Sequence, residues 1–500
     1  MFTGLNYGLT RLISRDLTMA TNRVASALEK LTSGNRINSI FDGTPADTSM
    51  ITKLDAQARG IRQAILNVNE VTNITNTADV ALSGMLNDAY TLRELAQKAR
   101  DPSLTSTELS SITTQASGLI SDLNNYVTNT TYTNANGLST SLLDNSFGSV
   151  TIQAGANRGN TFSFSIGDAR TSTLGQLAIY SGAQNSISSA SSGQVVINGT
   201  TIGASVTDGL STSSSSNSSI AIVNAINGSQ NTTGVYAESA GTTQTLVTNF
   251  SGASLYSGTF SAGDFKVNSV SIVGTISSAV KFVSAINGAT SQTGVIAALN
   301  ANGTDVSLTA SDGRNIQLVI ATGGVTASND NVYNLFNISS NAVVLSSYAS
   351  LSAGVNQTYV GAVRIWSSSA ITISGSGASA ALGITSGTKA LVSGTSVSAI
   401  SLSSTSSATQ ATKVLDATIA QISTLRSQVG AVHDRIDYTA SFLLESQNAT
   451  NDAKGAIQNV DFATETANLV MAQILQDSGV AALTQANLSQ STVYKLLQNL

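Results

Sequence analysis

Side chains able to do chemistry are few and far apart. His433 is the one histidine, set between Val432 and Asp434, and cysteine is absent from the 500 residues. The absence of cysteine removes every Cys-based zinc site and any Cys–His nucleophilic pair, and composition barely provides other partners for a catalytic or metal-binding imidazole. His433 therefore reads as a structural side chain on a helix. Gly375-Ser376-Gly377-Ala378-Ser379-Ala380 satisfies a G-x-G-x-x-A pattern after the strand-like Ile371-Thr372-Ile373. No clear helix or acidic ribose partner follows in a βαβ unit, so no dinucleotide site is expected. Asn329-Asp330-Asn331 lacks the further oxygen ligands of a calcium loop and reads as a turn. Within the run Ser211–Ser219, the hydroxyls of Ser211, Ser213, Ser214, Ser215 and Ser216 are candidate glycan acceptors. The alternative is a plain solvated loop. No catalytic residue, metal or cofactor is expected.

Composition narrows the function classes further. Only 10% of residues are charged, against a usual ~25%. The net charge of −5 provides no basic nucleic-acid footprint. No run approaches the ~18–20 consecutive apolar residues of a membrane span. The opening MFTGLNYGLTRLISRDLTMA lacks the apolar core and small-residue cleavage site of a secretory signal. By these rules alone the chain would be cytosolic.

The elements that position these residues show in the periodicity. Residues 1–100 hold 20 charged side chains and residues 171–400 hold 11, so helical, charged ends flank a Ser/Thr/Gly-rich middle. Leu5, Leu9 and Leu12, then Val24, Leu28 and Leu31, step by 4 and 3, a coiled-coil-like seam. A longer seam runs from Leu54 through Ala58, Ile61, Ile65, Val68 and Val71 to Ala99, predicting a helix from about Pro45. A second helix is expected from about Ser106 to Val127. Leu415, Ile419, Ile422, Leu425, Val429, Val432, Ile436 and Leu443 supply a matching C-terminal seam. Helices of this kind are unstable singly and must bury one another. Leu469, Val470, Met471, Ile474 and Leu475 form a further stripe, repeated by Val493, Leu496, Leu497 and Leu500. Such a stripe needs a partner. Its expected partners are the N-terminal helix of the same chain and then neighbouring copies. The balance of five basic to two acidic residues in 1–36, against one to three in 459–500, favours that pairing weakly.

Between the helical ends the period changes to 2. Val150–Ile152 and Phe162–Ile166 alternate around a Gly/Asn-rich turn, a β-hairpin. Ala225-Ile226-Asn227 with Thr233-Gly234-Val235-x-Ala237 recurs as Ala285-Ile286-Asn287 with Thr293-Gly294-Val295-x-Ala297. Two small α+β modules of about 194–255 and 264–320 are expected, followed by another strand-rich stretch to about Ala399. The extra residues of the first copy fall at Ser211–Ser219.

At both ends the residues become specific. Leu31-Thr32-Ser33-Gly34-Asn35-Arg36-Ile37-Asn38-Ser39 resembles the flagellin signature between its first two helices. Leu425-Arg426-x-x-x-Gly430-Ala431-Val432 with Arg435 resembles the C-terminal inner helix. Asp461–Glu465, Ala472–Leu475 and Gln485-Ala486-Asn487 resemble the last helix, and Gln153–Ile166 the family's hairpin. The Ala-Ile-Asn repeat is similar to a module of flagellin outer domains.

The resemblance implies an α+β fold. Long coiled-coil-like helices from both termini would form an elongated bundle with a β-hairpin region, with β-rich outer domains inserted in the middle. The implied division is 1–44 with 456–500 as inner helical core, 45–176 with 402–455 as bundle and hairpin, and 177–401 as outer domains. The implied function is a non-enzymatic, self-polymerising subunit of the extracellular flagellar filament used for swimming. Export would be unfolded, through the flagellar secretion channel, without a cleaved signal.

The implied partners are many copies of the chain, the export apparatus, an export chaperone, the filament cap and hook-associated proteins, with other flagellins as candidate co-assemblers. Nucleic acid and a membrane span are excluded. The self-assembly residues would be Leu5, Leu9, Leu12, Val24, Leu28, Leu31, Arg36, Ile474, Leu475, Val493, Leu496, Leu497 and Leu500. Arg93, Glu94 and Leu95 match the flagellin surface read by a vertebrate Toll-like receptor. Thr91 and Gln115 depart from it, which implies weak activation. A hook–filament junction protein is the alternative. An enzymatic insertion of the metalloprotease-like kind would need a His-Glu-x-x-His, and residues 176–401 contain no histidine.

Overall fold

The computed structural model describes residues 2–39, 42–133, 137–184, 189–191, 194–246, 258–301, 303, 305–320, 343–344, 350–351 and 356–498. Its longer helices are α1 (Phe2–Ser33), α2 (Pro45–Lys98), α3 (Ser106–Asn129), α4 (Ser219–Asn227), α5 (Ala279–Gly288), α6 (Thr405–Gln458) and α7 (Phe462–Gln498). The fold is α+β, with long helices at both ends and a β-rich middle. Asn329-Asp330-Asn331 lies outside the described residues.

Helix starts follow from local chemistry. Pro45 opens α2 behind a reciprocal cap. The Thr44 hydroxyl accepts from Asp47 N–H at 3.2 Å, while Thr44 N–H donates to the Asp47 carboxylate at 3.3 Å. Thr105 and Glu108 repeat the device at α3, at 3.3 and 2.9 Å. The predicted seams are largely the buried ones. Ala58, Ile61, Val68, Val71, Ala78, Leu82, Met85, Ala89 and Leu92 of α2 are buried, as are Leu415, Ile422, Val429, Ile436 and Leu443 of α6.

The chain packs as two compact units. One comprises Met1–Ser83, Val127–Gly167 and Thr424–Leu500; the other comprises Gly84–Tyr126 and Asp168–Ser423. These units cut α2 and α6 part-way.

The first unit holds α1, α7, most of α2 and the hairpin of β1 (Ser149–Gln153) with β2 (Thr161–Ser165). Its strands pair antiparallel in the register Val150↔Phe164 and Ile152↔Phe162. Arg435 of α6 lies over the Phe162 ring at 4.6 Å. Arg426 donates to both Asp79 oxygens at 2.9 and 3.3 Å, tying α6 to α2. His433 is half-buried and places Nδ1 3.4 Å from Asp437 one turn on, a helix-surface contact.

The second unit contains the two repeats, built on β3 (Ala178–Ser181), β4 (Val196–Ile197), β5 (Tyr236–Ser239), β6 (Thr242–Leu246), β7 (Phe265–Val267), β8 (Ile296–Leu299), β9 (Val306–Ala310), β10 (Ile316–Ile320), β11 (Asn356–Tyr359), β12 (Val363–Ser367) and β13 (Ile371–Ser374). The repeated residues are a hydrogen-bonding device. Asn227 clamps Ala237 through both amide atoms, at 3.0 and 2.8 Å, and Asn287 clamps Ala297 at 2.9 and 2.7 Å. Gly234 and Gly294, at φ of 66° and 68°, end the preceding helical turn in the left-handed region. Asn198 and Asn268 reach the carbonyls of Thr233 and Thr293 at 2.9 and 2.7 Å.

The repeats are nested rather than tandem. In the second copy β8 pairs with β9 and β7 with β10. In the first, the equivalent pairs are β5 with β12 and β4 with β13. Asn198 N–H donates to Thr372 O at 2.9 Å as Asn268 N–H does to Gln317 O. The strand-rich stretch expected after the second module therefore supplies the missing strands of the first. Their cores are separate. Phe260, Phe265 and Phe282 centre one; Ile197, Ile222, Ile365 and Ile373 centre the other.

The glycines of the G-x-G-x-x-A pattern pack against Gln194. A five-residue helix, Ala378–Leu382, does follow it. The space beside Gly375 is filled by Gln194, whose carbonyl would lie 2.3 Å from a Cβ there, and Gly377 N–H donates to that carbonyl at 2.9 Å.

Candidate assembly interface

The two ends of the chain pair within the first unit. On α1 the inward positions are Ile13, Leu17, Ala20, Val24, Ala27 and Leu31, in steps of 4 and 3. On α7 they are Leu469, Ala472, Gln476, Gly479, Leu483 and Ala486, in steps of 3 and 4. Ala20, Ala27 and Ala472 are fully buried, and a Cβ on Gly479 would meet Leu17 at 3.4 Å. Lys30 faces Glu465 across the seam at 3.8 Å.

This corrects the expected seam. Val24 and Leu31 face α7, but Leu9, Leu12 and Leu28 are about half exposed. The small residues Ala20, Ala27, Ala472 and Gly479 let the two helix axes approach, with Leu17 packing against Gly479. The signal was present as Ala20/Ala27 and Ala472/Gly479, each pair seven apart.

A backbone clamp closes the pair. Arg36 N–H donates to Gln458 O at 2.6 Å, and its guanidinium donates to Ile457 O at 2.7 Å. Val460 N–H donates to Gly34 O at 3.0 Å, and Asn35 bridges Asn459 antiparallel. The Leu31–Ser39 signature thus joins the α1–α2 connection to the α6–α7 connection.

Asp461 caps α7. Its carboxylate accepts from the Thr464 hydroxyl at 2.8 Å, from Thr464 N–H at 3.3 Å and from Ala463 N–H at 3.0 Å. These bonds, the Thr464 hydroxyl's first, hold its pKa below the ordinary 3.8. A depressed acid stabilises the fold fully above its ordinary pKa, and that contribution is lost as pH falls through the lowered value. Asp461→Asn keeps a capping oxygen but cannot titrate. In an acid titration from about pH 5 to about pH 2, far-ultraviolet circular dichroism should show wild type losing more helix than Asp461→Asn. Equal losses would remove Asp461 from the acid response.

Pairing leaves a second face of α7 uncovered. Val470, Met471, Ile474 and Leu475 are 53%, 61%, 59% and 46% exposed, and Phe462, Val480 and Leu488 are exposed too. Leu9, Leu12 and Leu28 add the outer side of α1. The side chains of Leu5, Val493, Leu496 and Leu497, and the whole of Leu500, lie outside the described residues.

The remaining sequence candidates sit in the second unit. Arg93 pairs with Asp416, Leu95 is half-buried and Glu94 is exposed. The serine run is packed rather than freely solvated. The Ser211 hydroxyl donates to Asp208 at 2.6 Å and accepts from Asn315 N–H at 2.9 Å. Ser213 Oγ accepts from Thr358, and Asn315 donates to the Ser213 and Ser214 carbonyls. Ser215 and Ser216 are half-buried beside them, and Ser214 is exposed. The run packs the first copy against the second.

Among the described residues no three His, Asp or Glu side chains form a metal cluster, and no helix is long and apolar enough to cross a membrane. Ends that clamp each other and still present a bare apolar face define a structural building block for self-association. The bacterial flagellin N-terminal helical region matches residues 7–143, and the C-terminal helical region matches residues 412–497. B-type flagellin of Pseudomonas aeruginosa is 28% identical over 498 residues, covering 97% of both chains. Flagellin A of Helicobacter pylori is 29% identical over 515 residues, covering 96% of both. FliC from Burkholderia pseudomallei overlaps loosely in structure, at 16% identity and a TM-score of 0.27 over 73% of this chain and 99% of that one. The chain belongs to the bacterial flagellin family. It is a flagellar filament subunit and not an enzyme.

Proposed function

We propose that the chain leaves the cell unfolded through the flagellar secretion channel and polymerises outside it into the helical filament that drives swimming. The observation that carries this reading is the uncovered face of α7. Pairing with α1 satisfies one side of the helix and leaves Val470, Met471, Ile474 and Leu475 facing water. A contact between that face and a different surface of the next copy does not close, and a non-closing heterologous contact builds a helical polymer. The export apparatus, an export chaperone, the filament cap and hook-associated proteins are the partners that route requires.

Seeded growth of the purified subunit, viewed by electron microscopy, tests the assembly half. Long filaments are expected, and short terminating stubs would favour a hook–filament junction protein. The export half is tested in a strain lacking the flagellar secretion ATPase. The subunit should be retained in the cell, and unchanged secretion would refute that route.

A further inference from the structure

The outer face of the β3–β12–β5 sheet carries side chains that the second copy does without. Register sets Ile179, Trp366 and Tyr236 in one row and Ser181, Arg364 and Glu238 in the next. At the matching positions of β8 and β9 the second copy has Ile296, Thr309, Ala298 and Ser307. The fold itself therefore demands neither an arginine nor a tryptophan there.

Two of the four larger residues, Trp366 and Glu238, hold α6, and Tyr236 backs the first. Trp366 stacks on Tyr236 with centroids 4.6 Å apart and lies under Lys413 Nζ at 5.5 Å. Glu238 pairs with the same Lys413. Arg364 has no such duty. Its guanidinium stands 3.6 Å from Glu238 and makes no hydrogen bond among the described residues. Two cations thus share one carboxylate.

Arg364 lines a cleft of about 490 Å³ between this sheet, the start of α6 and residues 394–401. That volume suits a small molecule, and the walls are mostly apolar, with Leu177, Ile179, Ile400 and Val414 among them. We propose that the cleft binds a small monocarboxylate with an apolar body. The planar fork of Arg364 matches a carboxylate through two parallel hydrogen bonds. The walls take the hydrocarbon, and they disfavour a fully hydrated inorganic anion.

Calorimetry on the full-length monomer with octanoate, octanol and inorganic phosphate tests this. Octanoate should bind with a Kd below about 1 mM, and Arg364→Gln should weaken it about tenfold or more. Octanol binding should be equal in the two proteins. Ala399→Trp, at the exposed mouth, should block octanoate while far-ultraviolet circular dichroism and the thermal melt stay unchanged. It carries the test should Arg364→Gln misfold. Absent octanoate binding, octanoate binding insensitive to both substitutions, or phosphate binding more tightly than octanoate would each overturn the proposal.

Discussion

Ile474→Asp should leave the isolated subunit folded and abolish filament growth. Ile474 is 59% exposed and takes no part in the α1–α7 seam. A surface substitution of this kind changes stability by about 0.5 kcal/mol or less. Once a neighbouring copy covers the face, the aspartate becomes a charge without a counter-ion. An unpaired buried charge costs several kcal/mol. At about 4 kcal/mol the loss is about a thousandfold in each subunit contact, and every subunit of the polymer bears it. Ala472→Asp is the informative contrast, because Ala472 is 4% exposed within the seam. It should disrupt the pairing of the ends inside one chain. Thermal melting of the monomer and light scattering of seeded growth separate the two effects. Normal growth of Ile474→Asp would sink the assignment of this face.

Excising residues 242–360 should leave a folded, polymerising subunit, although it removes far more of the chain than any point substitution. Ala240 N–H donates to Ala362 O at 3.0 Å. A Cβ on Gly361 would lie 2.9 Å from the Gly241 carbonyl, so the two glycines are side by side. Joining them gives Ala240-Gly241-Gly361-Ala362, a two-residue Gly-Gly hairpin between β5 and β12. Such turns require positive φ, and Gly241 already sits at 79°. The core around Ile197, Ile222, Ile365 and Ile373 keeps its buried residues and loses the partly buried Val360, and the seam and clamp of the ends are untouched. Phe282→Ala, in the full chain, should destabilise the second copy alone by about 3–5 kcal/mol. Limited proteolysis should then cut the second copy and spare the first. A deletion variant that aggregates without a cooperative melt would show that the nested copy is needed to fold its host.

One side chain on a bare helix face should decide polymerisation, while a whole module between two adjacent glycines should be dispensable to it. The hydroxyl-rich run at Ser211–Ser219 fits this picture, because its bonds to Asn315 and Thr358 secure the second copy to the first without reaching the helical ends.

The long helices, their capping residues, the hairpin and the family signatures were legible in the sequence, because each depends on neighbours a few positions apart. Thr44-Pro45-x-Asp47 carries its own cap, and the period along α2 and α6 follows from 3.6 residues per turn. Two things were decided only by tertiary structure. The leucine pattern of α1 does not reveal which helical stripe faces α7, since that depends on how closely the two axes approach. Ala20, Ala27, Ala472 and Gly479 permit the approach, and Leu9, Leu12 and Leu28 are left outside. The spacing of 60 between the repeats likewise looks tandem. Hydrogen bonding joins β5 to β12 and β4 to β13 across the whole second copy, a pairing of residues more than a hundred positions apart that no local periodicity encodes.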